Sequence, residues 1–203
     1  MPVKPSEEED KYFHAENQRH LDNLRGTTTD EEILALAGAV GSSDPEVGKQ
    51  LRALGFNAAT APTLFFVPLV EVAWADGKIG YEESYKIVDA LRSRGIRATS
   101  EAYEFLNGLT LRRPASTFFE GCNQVIRTLL GQVGAEAREA QISNLAELVV
   151  GVARASRGFF GFGAEVTKDE HKAIEEIIKE LGIEHSTHAE NVRKGLAGGD
   201  DSL

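Results

Sequence analysis

Apolar positions recur at spacings of three and four along almost the whole chain, and no run of alternating β-branched residues interrupts them. That periodicity predicts an all-α protein. Capping boxes mark three helix starts: Ser6 with Glu9, Thr29 with Glu32 and Thr167 with Glu170. Asp44-Pro45 marks another, with proline at the first helical position. Gly26, Gly41, Gly55, Gly77, Gly95 and Gly182 each follow a periodic segment, where glycine takes the left-handed cap. These signals predict about nine helices, near 6–25, 30–40, 45–54, 61–76, 81–94, 100–110, 115–133, 136–156 and 167–182, with a short segment after Ser186. Pro68 falls inside the fourth, which it kinks or truly begins. The tail at 197–203 is expected to fray.

The chain matches itself. Val70-Glu71-Val72-Ala73-Trp74-Ala75-Asp76 parallels Val150-Gly151-Val152-Ala153-Arg154-Ala155-Ser156. In both copies thirteen residues separate the opening glutamate of the next helix from a Gly-Ile stop: Glu83 to Ile96, and Glu170 to Ile183. The second inter-helix loop is seven residues longer, within 157–164. Neither hairpin hides its apolar face alone, so two pseudo-symmetric hairpins are expected to pack together. Ala73, Ala75, Ala153 and Ala155 would permit close approach.

The segment Glu71-Val-Ala-Trp-Ala-Asp-Gly-Lys-Ile-Gly-Tyr-Glu-Glu83 resembles the TerB-like domain family, which includes tellurite-resistance proteins and the helical domain of a membrane-bound co-chaperone. The likeness covers 64–96, and more weakly 145–183. It implies an all-helical fold of duplicated hairpins and a stress-associated role without catalysis. It also implies divalent-cation binding by acids near the turn, carried here by Ala75, Asp76, Gly77 and Glu83. The second copy departs from the pattern, with Ser156 in place of the aspartate and Arg157 in place of the glycine.

The same turn matches the second half of a calcium loop, but Val72 and Trp74 would stand where the first carboxylates must be, so an EF-hand is excluded. Two readings of the acids remain. In one, Asp76, Glu82, Glu83, Asp169 and Glu170 form a weaker site for a divalent cation, calcium or magnesium. In the other they cap helices and close turns, where a first-turn carboxylate is worth roughly 0.3–1 kcal/mol.

Composition narrows the function classes. Lys and Arg number 22 against 32 Asp and Glu, a formal net charge of -10 over 203 residues. An acidic chain without a basic patch is a poor nucleic-acid binder. One cysteine excludes an intrachain disulfide framework and any thiolate zinc site that needs two or more cysteines. The most apolar stretch, Leu64 to Ala75, is broken by Pro68 and Glu71 and is shorter than the ~20 residues that span a bilayer. The opening residues lack the basic and apolar regions of a leader, so a cytoplasmic protein is expected. Nucleophile elbows, metal-binding His-Glu motifs and phosphate loops are all missing, so no enzyme is expected. Cys122, amid apolar neighbours, reads as a buried, inert thiol. His185 and His188 could share a metal but read as surface polarity.

Two segments suggest a protein partner. Tyr12-Phe13-His14-Ala15 with Leu21, Leu24 and Arg25 looks like the inhibitory segment of the mitochondrial ATP-synthase inhibitor. Its narrow stripe of Phe13, Leu21 and Leu24 could latch onto the bundle, enter a partner's groove or inhibit a rotary ATPase. Phe159, Phe160 and Phe162 could dock a partner or fold into the core. The expected layout is a polar helix at 1–28, a helical lead-in at 29–58, a TerB-like core at 59–184, and a short helix with a disordered tail at 185–203. The expected role is non-enzymatic, binding a protein or a metal ion.

Overall fold

The computed structural model describes residues 29–155, 168–183, 189, 190 and 193. Its helices are α1 (Asp30–Ala39), α2 (Pro45–Ala53), a 3-10 segment (Ala61–Phe66), α3 (Val67–Ala73), α4 (Tyr81–Ser93), α5 (Glu101–Leu111), α6 (Ser116–Gln132), α7 (Ala135–Ala155) and α8 (Lys168–Glu180). No strand occurs among the described residues, so the all-α expectation holds. No described helix is long and apolar enough to cross a membrane. The polar helix at 6–25, the Phe-Gly loop, His185, His188 and the tail lie outside the described residues.

Local chemistry sets the ends of the helices. At α1 the Thr29 hydroxyl accepts from the Glu32 amide and the Glu32 carboxylate accepts from the Thr29 amide, each at 3.2 Å. At α2 the Asp44 carboxylate accepts from the Glu46 amide at 2.9 Å, with Pro45 next in line. α1 and α2 then pack so closely that a Cβ on Gly48 would stand 2.1 Å from the Ile33 carbonyl oxygen. Only glycine fits there.

The expected helix at 61–76 is replaced by two shorter pieces. Residues 61–66 wind as 3-10, and the α-helix starts at Val67 with Pro68 in its first turn. Proline has no N–H, so Pro68 cannot donate to Leu64 and the α ladder cannot run through. The helix ends at Ala73, and Trp74 takes the cap position. Ala75, Asp76 and Gly77 form the turn beyond, with Gly77 at φ 91°. That left-handed backbone suits glycine.

α3 is the hub. It packs against α4, α5, α6, α7 and α8 and the 3-10 segment. Its Val67, Pro68, Leu69, Val70, Val72 and Ala73 are all buried, as befits a helix with neighbours on every side. The Trp74 indole donates to the Leu109 carbonyl at 2.9 Å and ties the end of α3 to α5. α4 lies against α7, and α8 lies against α3 and α6. The lead-in shares the same interior: Leu36, Val47, Leu51 and Phe56 join one buried cluster with Val70, Ile126 and Ile174.

Candidate functional site

The acids of the Asp-Gly turn are occupied locally. Asp76 is exposed, and its carboxylate accepts from the Lys78 amide at 3.1 Å. Glu83 is buried, and its carboxylate accepts from the Gly80 amide at 2.6 Å, closing the first turn of α4. Gly80 has no side chain to return the bond, so only half of a capping box forms. Glu82 is exposed. Asp169 is exposed in the first turn of α8 and lines a different depression, which Asp76, Glu82 and Glu83 do not line. Glu170 belongs to that same turn of α8, and its side chain lies outside the described part. No group of three or more metal-ligating His, Cys, Asp or Glu side chains occurs among the described residues. Replacing Glu83 by alanine is therefore expected to cost about 1–2 kcal/mol, the size of a lost helix cap. The urea midpoint should fall equally with and without millimolar calcium. A loss seen only with calcium would assign Glu83 to an ion.

A different constellation stands where three helices meet. Glu71 is the one charged residue in the seven-residue α3. α6 turns Asn123 inward, fully buried beside Phe119, Cys122, Ile126 and Leu130. Its Nδ2 donates to Glu71 Oε2 at 2.9 Å and to Glu180 Oε2 at 2.7 Å. One amide thus links two carboxylates from helices 57 residues or less apart from it in sequence. The Asn123 Oδ1 is buried and accepts from no group among the described residues. Buried polar atoms normally find a partner, and one left alone costs roughly 1–3 kcal/mol.

Electrostatics makes this an unsettled place for negative charge. Burial pushes the Glu71 carboxyl up to about 7, the Asn123 hydrogen bond pulls the other way, and Glu180, Glu176 and Glu120 push it further up. Glu71 has no ion-pair partner among the described residues. Glu180 is the last residue of α8 and Glu71 stands in the last turn of α3, where helix carbonyls already present partial negative charge. Burial, reinforced by Glu71, also drives the neighbouring Cys122 thiol upward. The expected buried thiol is found.

Beside Glu71 opens a cleft of about 260 Å³. Glu71 of α3 and Ala75 of the turn beyond it form one part, Arg113, Pro114, Ser116 and Phe119 another, and Asp169, Lys172, Ala173 and Glu176 of α8 the third. Asp169, Ala173, Glu176 and Glu180 follow the spacing of one helix face. Lys172 and Glu176 form an exposed pair at 3.7 Å.

In the sequence Glu71 stands out as a break in an apolar run and as part of the repeated segment, and Asn123 carries no distinguishing motif. The available signal was a polar residue at a core-facing position of each helix. Among the expected site residues, only Asp169 reaches the cleft within the described part. Tyr12, Phe13, Leu21, Leu24, Phe159, Phe160 and Phe162 lie outside the described residues. No known protein-family model, curated protein or solved structure matches the chain.

Proposed function

We propose that this chain is a non-enzymatic, TerB-like helical module that works by binding a positively charged ligand between α3, α6 and α8. The observation that carries this is the buried Asn123 amide bridging Glu71 and Glu180, with its own oxygen unpartnered among the described residues. Two carboxylates held together in a partly desolvated place, without a cation, leave a charge deficit that a cationic guest relieves. The kinship rests on the Ala-Asp-Gly segment. Support for pseudo-symmetric hairpins comes from the packing: α3 lies on α7, and each also meets the second helix of the other copy, α3 on α8 and α7 on α4. A stress-associated role is what that kinship implies. The Asp-Gly turn serves as helix-capping structure in this reading, and the cation site moves to Glu71.

Thermal unfolding of the full chain with millimolar calcium, magnesium, manganese or methylammonium tests the reading. At least one cation should raise the midpoint of the native protein and leave Glu71→Gln unmoved. Equal behaviour of the two proteins with every cation would overturn it.

A further inference from the structure

The cleft is far larger than an inorganic ion, and its walls are not uniformly acidic. Its volume lies just under the roughly 300–1,000 Å³ of sites for drug-sized ligands, the range below which small metabolites fit. Metal coordination by protein groups alone is poorly served. A hard cation such as calcium wants six to eight oxygens, and no qualifying group converges among the described residues. An ammonium asks for less, since its three N–H donors need three acceptors. Glu71 and Glu176 line the cleft, and behind Glu71 stand Glu180 and the Asn123 amide with its buried oxygen.

The same lining also carries positive charge, on Arg113 and Lys172. α6 begins at Ser116 with Ala115 as its cap residue, and no side chain satisfies its first amides. Arg113 and Ser116 both line the cleft at that end. The Phe118 amide donates back to the Ala115 carbonyl at 3.0 Å, and a helix start without a side-chain cap beside a guanidinium favours a carboxylate. Lys172, also lining the cleft, is held by an exposed ion pair worth about 0–1 kcal/mol, so it yields readily. Phe119, Pro114, Ala75 and Ala173 also line the cleft and suit methylene groups. Another cation nearby, Arg127 of α6, lies against Gly182 just past α8 rather than in the cleft.

We infer that the cleft binds a small aliphatic amino carboxylate, its ammonium on Glu71 and Glu176 and its carboxylate at Arg113 and the start of α6. This deepens the cation-binding reading and rests on it. Recognition of both charges separates this ligand from simple amines, which meet only the acidic groups, and from fatty acids, which meet only the basic ones. The ammonium requires an ionised Glu71, so affinity should fall about tenfold for each unit of pH below 7.

Titration calorimetry and amide-proton shifts of the full chain with ε-aminocaproate test the inference, with hexylamine and caproate as controls. Saturable ε-aminocaproate binding is expected, several-fold tighter than hexylamine, and caproate should not bind. Glu71→Gln should weaken ε-aminocaproate at least about tenfold, the factor for one unit of pKa mismatch. Arg113→Ala, at an exposed position, should weaken ε-aminocaproate several-fold and leave hexylamine unchanged. Binding of hexylamine or manganese without ε-aminocaproate would overturn the amino carboxylate and leave the cation site standing. Binding of ε-aminocaproate that Glu71→Gln leaves intact would place the ligand elsewhere and overturn the inference. If none of these probes binds, both readings fall.

Discussion

Asn123→Asp is expected to lose about 4 kcal/mol of stability at pH 8, in the range found when a buried pair is left uncompensated. The substitution keeps the size of the side chain, so packing against Phe119 and Ile126 changes little. What changes is the atom facing Glu71 and Glu180. The Nδ2 that donates to both, at 2.9 and 2.7 Å, becomes an oxygen that can donate to neither while ionised. Three carboxylates then share one fully or partly buried place. At pH 5 the new acid and Glu71 both hold protons, hydrogen bonds re-form, and roughly half the loss should return. Asn123→Leu offers a contrast. It removes the donor without adding charge and should cost about 2 kcal/mol, the price of stranding the two acceptors. Urea unfolding at both pH values measures all three proteins. If Asn123→Asp stays within about 1 kcal/mol of the native chain at pH 8, a shift typical of uninvolved surface positions or little more, the amide is not what holds the acids together.

What could be read along the chain was whatever one turn of backbone decides. The Thr29 box, the Asp44-Pro45 start and the glycine stops at Gly41, Gly55, Gly77, Gly95 and Gly182 involve partners within a few residues, and they stand where expected, while Gly26 lies outside the described residues. Pro68 is of the same kind, because its missing N–H acts on Leu64 alone. Glu83 was legible as an acid at a helix start, and its bond to the Gly80 amide is the local use of that acid. The Glu71–Asn123–Glu180 link was not legible. Its members are separated by 52 and 57 residues, and only the packing of α3, α6 and α8 brings them together. A single glutamate in an apolar run has many outcomes: it can face solvent at the surface or meet a partner inside. Periodicity places it on a helix face but does not say what that face meets. The cleft is illegible for the same reason, since its lining comes from residues as far apart as Glu71 and Glu176.

The proton on Glu71 should make the fold itself sensitive to pH, in the direction opposite to that of a salt-bridged acid. Its carboxyl is raised from 4.5 to about 7 in the folded chain. Below pH 4.5 both folded and unfolded chains hold the proton, and Glu71 contributes no difference. Between 4.5 and 7 the unfolded chain has released it and the folded chain has not, so folding binds a proton and stability falls as pH rises. Above 7 both are ionised and the loss is complete, at about 2–3 kcal/mol once partial exposure is allowed for. Glu71→Gln is isosteric and keeps an acceptor for Asn123, yet carries no charge. It should match the native chain at pH 4.5 and exceed it by about 2–3 kcal/mol at pH 8, with the gap opening between those values. Other carboxylates titrate in both proteins, so the difference between their urea midpoints isolates Glu71. A glutamate that weakens its own fold at neutral pH is what a binding site retains and a purely structural core discards. If the two midpoints run parallel from pH 4.5 to 8, Glu71 ionises as an ordinary surface acid, and its claim to hold a cation goes with it.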